Sequence, residues 1–144
     1  MILKLAYEQG KNFMKIKSSS GELVAIVSRL NDITEKRNFF TENDAEMQFA
    51  SFSLSKGENI KRHKHDKQER TVYSTSEGIV VLQGCIEVIL YEAETEEFLD
   101  KVKLHTGDSI VMLSGGHEIN LVENSKFVEF KQGPYDEHLD KKLF

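Results

Sequence analysis

The chain has 144 residues, 39% hydrophobic and 30% charged, with nine Phe, four Tyr, one Cys, one Pro and no Trp. That length reads as one domain, 1–144, able to bury about 68–70% of the surface its unfolded form exposes, so it needs no disulfide or structural metal for stability. A net charge of −5 excludes the basic face of a nucleic-acid binder, the aromatics exclude a disordered chain, and no apolar run approaches the roughly 20 residues of a membrane span.

The start, MILKLAYEQGKNF, carries Lys4, Glu8 and Lys11 where a secretory signal would need an apolar core, and the lone Cys85 allows no internal disulfide. The expected address is the cytoplasm. Residues 1–44 read as short N-terminal strands and a charged connection: Ser18 to Gly21 as a turn, Leu23 to Val27 as a strand, Asn31-Asp32 as the start of the connection. Glu46 to Leu54 alternates with a strand period, placing Met47, Phe49 and Ser51 on one face. Beyond Gly57 the pattern becomes regular. Strands are expected at Ile79 to Leu82, Ile86 to Tyr91, Phe98 to Leu104, Ser109 to Leu113, Ile119 to Val122 and Phe127 to Phe130, with turns near Gly84, Gly107 and Gly115-Gly116. Ala93 to Glu97 reads as a hairpin loop. Short strands at this spacing imply an all-β sandwich or barrel, most simply a jelly roll.

The strand from Ile79 to Leu82 is apolar on both faces, so its outer face needs a cover. A second subunit, making a homodimer, is one expectation; another layer of the same chain is the alternative. The tail, 132–144, is charged but carries Tyr135, Leu139 and Phe144, enough to dock on the body; a frayed end is the alternative.

His63 and His65 stand two apart in IKRHKH, which on a strand projects both imidazoles from one face, about 7 Å apart, where they can converge on one ion or ligand. Lys61 shares that parity and is placed to meet a substrate carboxylate or phosphate. From Lys56 to Arg70 six Lys or Arg accompany three Asp or Glu, a locally basic stretch in an acidic chain that otherwise reads as a solvated loop. Tyr73, further along, is a candidate phenol at the mouth of such a site; His105 and His138 read as bystanders, and Cys85 has no basic neighbour to activate it.

Gly57 precedes His63 by five intervening residues, Glu77 precedes Gly84 by six, and GDSIVMLSGGHEIN runs from Gly107 through His117 to Asn120. In these blocks, over roughly 45–131, the sequence resembles the cupin superfamily, whose two motifs pair Gly, five residues, His-x-His, a short gap, Glu, six residues and Gly with a later Gly…Pro-x-Gly…His…Asn block. Two departures stand out. Leu113 replaces the usual Pro, and two glutamates compete for the carboxylate position: Glu69 satisfies the spacing from the histidines, Glu77 the spacing to the glycine. Glu77 is favoured because it stands at the start of an expected strand.

The resemblance implies a cupin jelly roll, a double-stranded β-helix over 45–131, with an N-terminal β extension. It also implies one divalent ion, Fe, Mn, Ni, Co or Zn, held by His63, His65, Glu77 and His117, an open shell that suits catalysis on a bound substrate. The end of the chain, FVEFKQGPYDEHLDKKLF, resembles that of small bacterial cupins associated with polysaccharide and nucleotide-sugar genes, which implies a sugar or sugar derivative as ligand and isomerase-, epimerase- or oxygenase-like chemistry. Two alternatives stay open: a metal-independent nucleotide-sugar isomerase or epimerase in which His63 and His65 act as acid and base, and a module that binds a small molecule without turning it over.

Overall fold

A computed structural model describes residues 12–144, so the N-terminal segment read above as lacking a signal core lies, up to residue 11, outside the described residues. Ten strands form: β1 (Met14–Lys17), β2 (Leu23–Ser28), β3 (Asn38–Phe39), β4 (Ala50–Ser51), β5 (Glu77–Gln83), β6 (Cys85–Tyr91), β7 (Phe98–His105), β8 (Ser109–Met112), β9 (Gly116–Leu121) and β10 (Lys126–Lys131). All pairings among them are antiparallel. They build a five-stranded sheet, β1-β2-β8-β5-β10, a three-stranded sheet, β7-β6-β9, and the small β3-β4 ladder. The fold is therefore all-β, as the alternating pattern predicts, and among the described residues the three sheets do not close into a single ring. No described helix is long and apolar enough to cross a membrane.

Strand parity explains how the two larger sheets meet. Val27, Ile79, Val81 and Ile110 project inward from the five-stranded sheet and Ile86, Val88, Leu90, Val102 and Leu104 from the other, forming one buried cluster. β-branched residues dominate, which suits a pleated surface packed on one side. The opposite face of β2 carries Ile26, buried under Phe13 and Phe40, with Phe40 packed edge-on against Phe49 at 4.8 Å between ring centres. A layer of the same chain thus covers the β2 side of the outer face. Leu82, Val128 and Phe130, on β5 and β10, stay exposed.

One polar group ties the corners together. Asp108, in the turn before β8, accepts hydrogen bonds from the backbone N–H of Leu30 (3.0 Å) and of His105 (2.9 Å) and from the Arg29 guanidinium (3.0 Å). Arg29 also donates to the Lys103 carbonyl. A single carboxylate therefore links the end of β2 to both sides of the β7–β8 turn.

One expected strand is shorter than read: Glu46 to Leu54 is in a ladder only at Ala50–Ser51. IKRHKH, whose spacing would put both histidines on one face of a strand, forms none, in keeping with the solvated-loop reading of its basic stretch; residues 52–76 lie outside every ladder. The hexapeptide holds one apolar residue, Ile60, itself exposed, so it has no face to bury against a sheet. β9 accordingly pairs with β6 on one side, and its other edge has no partner among the described strands.

The entry to β9 depends on Gly115. Its φ is +74°, and a Cβ there would stand 2.3 Å from the Tyr91 carbonyl oxygen, which cannot give way without moving β6. Gly115→Ala is therefore expected to lower stability by about 2 kcal/mol, read as a fall in the urea midpoint at unchanged m-value.

Candidate functional site

Glu77 opens β5 and His117 is the second residue of β9, so the two stand on opposite sheets at the same end of the core. Register settles their direction: Glu77 pairs with Met112, which belongs to the buried cluster, and His117 pairs with the fully buried Leu90. Both therefore point into the space between the sheets. His117 Nε2 lies 3.3 Å from Glu77 Oε1, with the imidazole 30% exposed and the carboxylate 13%. The hydrogen bond from His117 is the main reason the Glu77 carboxyl sits below the ordinary carboxylate range; burial opposes it, and the His117 charge, the neighbouring Glu129 carboxyl and the Lys131 ammonium add to it.

β10 supplies the next groups. Lys131 is the register partner of Glu77, and Glu129 lies two residues before it on the same face. Lys131 Nζ lies 2.9 Å from Asp140 Oδ2 and 3.8 Å from Glu129 Oε1. The Asp140 hydrogen bond raises the lysine pKa against the effect of burial, with smaller help from the Asp140, Glu129 and Glu77 charges. Asp140 belongs to the tail, which docks here. Phe144 packs edge-on against Tyr91, ring centres 5.3 Å apart, and sits so close over Gly116 that a Cβ there would come within 2.5 Å of its ring. The Tyr91 hydroxyl donates to Glu118 at 2.9 Å. Because that hydrogen bond favours the protonated phenol, the Tyr91 pKa is raised.

These residues, with Glu92, Glu96 and tail positions 140–144, line a cavity of about 880 Å³ open to solvent. It falls within the roughly 300–1,000 Å³ of small-molecule sites. A polar dyad at its wall, an imidazole held by a carboxylate, can accept and return a proton.

The residues expected from sequence divide into two groups. Glu77 and His117 come together. His63 and His65 are exposed on segment 52–76, their rings 5.2 Å apart, with His63 Nδ1 2.8 Å from the Lys61 carbonyl oxygen. Lys61, Glu69 and Tyr73 lie on the same segment, all exposed, and none of the five lines the cavity. Among the described residues no three His, Cys, Asp or Glu side chains gather closely enough to hold a metal ion. As arranged here, the four donors implied by the resemblance do not fit one ion.

Lys131, Glu129, Asp140, Tyr91 and Glu118 were not singled out from sequence. β10 does carry a signal: in KFVEFK, Phe127, Glu129 and Lys131 share one parity, so two charged residues follow a packed Phe on an inward face. Asp140 carries no such mark.

Comparison of the chain with protein-family models, with curated proteins and with solved structures finds no match.

Proposed function

We propose that the cavity binds a small polar molecule, a sugar or sugar derivative, and that the His117–Glu77 pair moves a proton on it. The observation that carries this reading is the 3.3 Å contact between an imidazole and a carboxylate on opposing sheets, in the wall of a cavity of ligand size. With Nε2 donating to Glu77, Nδ1 keeps the lone pair. It can take the proton from a carbon next to a carbonyl, the electron pair moving onto the carbonyl oxygen, while Glu77 stabilises the imidazolium. Return of the proton to the former carbonyl carbon, with the proton of the adjacent hydroxyl passing to the former carbonyl oxygen, completes an isomerisation; exchange of the imidazolium proton with solvent before its return to the same carbon completes an isotope exchange.

The topology supports a jelly roll as the finer description. From β5 to β10 the chain changes sheet at every connection except the β6–β7 hairpin, so sequence neighbours face each other across the core. A second copy over the exposed Leu82, Val128 and Phe130 would complete the cover of β5 and give the homodimer expected above. The test of function is proton wash-out: aldoses and ketoses incubated with the protein in D₂O, with loss of the proton next to the carbonyl followed by NMR. Catalysed wash-out supports the reading; a rate equal to the protein-free control across the panel rejects it.

A metal-binding cupin is the second reading, and the unpaired edge of β9 favours it. That edge pairs with no described strand, and segment 52–76 carries the exposed His63 and His65 with rings already adjacent. Docking of Ile60 to His65 beside His117 would gather the four donors. The expected result is about one equivalent of a divalent metal in the purified protein and its loss in His63→Ala, measured by elemental analysis. Equal metal content in both proteins would remove this reading.

A further inference from the structure

The charges of the cavity wall carry a statement about its ligand that the dyad alone does not make. Six carboxylates line it, from Glu77, Glu92, Glu96, Glu118, Glu129 and Asp140, against three lysines, 131, 141 and 142. A low-dielectric cleft lined mainly by one sign of charge concentrates ligands of the opposite sign.

The lysines do not restore the balance. Lys131 comes from a strand of the sheet wall, and its ammonium is already engaged by Asp140 at 2.9 Å, whose side chain is only 8% exposed, and by Glu129 at 3.8 Å. The tail thus places a carboxylate on the cavity lysine that comes from the sheet wall. Lys142 lies 3.8 Å from Glu96, and Lys141 is exposed on the tail. On the opposite side of the ledger, Glu118 is met by the neutral Tyr91 hydroxyl, so its charge is not offset.

We propose that the cavity selects an amine-bearing sugar or similar cationic polyhydroxyl molecule over a phosphorylated one, and that Asp140 is the residue that turns phosphate away by filling Lys131. This rests on the assignment of the cavity as the ligand site, and it narrows the ligand class, setting nucleotide sugars and sugar phosphates aside. Asp140 acts on specificity only; it takes no part in proton transfer.

The experiment titrates three probes, glucosamine below the pKa of its amine, glucose, and glucose 6-phosphate, against ¹⁵N-labelled protein and follows the amides of Gly116, His117 and Lys131. Glucosamine is expected to bind about fivefold tighter than glucose, and glucose 6-phosphate at least as many times weaker, with both differences shrinking at high salt. In Asp140→Asn the affinity for glucose 6-phosphate should rise about fivefold, because Lys131 is released. Glucose 6-phosphate equal to or tighter than glucosamine on the unmodified protein overturns the proposal, as do three equal affinities, and in both cases the cavity still stands as the binding site. Should none of the probes shift these amides, the site assignment itself fails and the selectivity with it. A second variant guards against misfolding: Glu129→Gln should reduce the preference for glucosamine over glucose, and an unchanged ratio in a folded variant also counts against the proposal.

Discussion

Asp108→Ala is expected to destabilise the fold by about 3 kcal/mol. Its carboxylate is 9% exposed and receives three donors, the N–H groups of Leu30 and His105 and the Arg29 guanidinium. Truncation leaves both N–H groups without their acceptor and the guanidinium without its counter-charge, so the loss exceeds that of an ordinary hydrogen bond. Asp44→Ala, at an exposed aspartate, is the control and should change stability by no more than about 0.5 kcal/mol. Urea unfolding of the three proteins measures both values, and a cost for Asp108→Ala no larger than the control would show that the hub carries no stability.

The same carboxylate gives the effect a pH dependence. Burial pushes Asp108 up, but the hydrogen bonds from His105, Leu30 and Arg29 and the Arg29 charge together outweigh it and hold the group below its usual 3.8. A carboxyl depressed in the folded state binds fewer protons there than in the unfolded chain, so it stabilises the fold above its unfolded pKa. That contribution is lost as pH falls from about 4 toward the folded value. The gap between wild type and Asp108→Ala should therefore be constant near neutrality and narrow below about pH 4. Glu77 is depressed as well and contributes with the same sign, so the stability of the Asp108→Ala variant should still fall with acid.

The legible parts of the chain were those where burial decides. From β5 to β10 the alternation of Ile79, Val81, Ile86, Val88 and Leu90 with polar or outward residues fixes strand, face and register together, and the observed strands fall within a few residues of those expected. Glycines with left-handed backbone at 84, 107 and 115 mark the turns between them. Segment 60–65 shows the limit of a spacing argument: two residues apart puts two histidines on one face only if a strand exists, and three cations with one apolar residue supply nothing to hold it against a sheet. Glu77 was legible because it stands at the entry of a strand whose parity is set by Ile79 and Val81, whereas His117 came only from the resemblance of its block to a family motif, since the strand expected there begins at Ile119 and the observed one at Gly116. Asp140 was not legible, since its meaning comes from a tail folding back onto Lys131, an encounter between elements that no local pattern encodes.

His117→Gln should reduce proton wash-out by about 10²- to 10⁴-fold, the contribution of a positioned acid–base group, because the amide has no lone-pair nitrogen of suitable basicity to take the proton. Its side chain has similar length and can still donate to Glu77, so the fold should persist; equal unfolding midpoints would separate lost chemistry from lost structure. Glu77→Gln acts one step removed. The amide still reaches His117 but no longer offsets the imidazolium charge that appears as the proton transfers. Glu77 is a positioning residue, and its replacement should lower kcat by about ten- to a hundredfold with KM little changed, since the carboxylate matters most when the imidazole is charged. Glu77→Asp, which keeps the charge on a shorter stem, should recover part of the loss. A purely structural role for Glu77 would instead give equal losses in the Gln and Asp variants, in proportion to their loss of stability. Unchanged wash-out in His117→Gln would move the chemistry away from β9 altogether, leaving the exposed His63 and His65 as the imidazoles to examine.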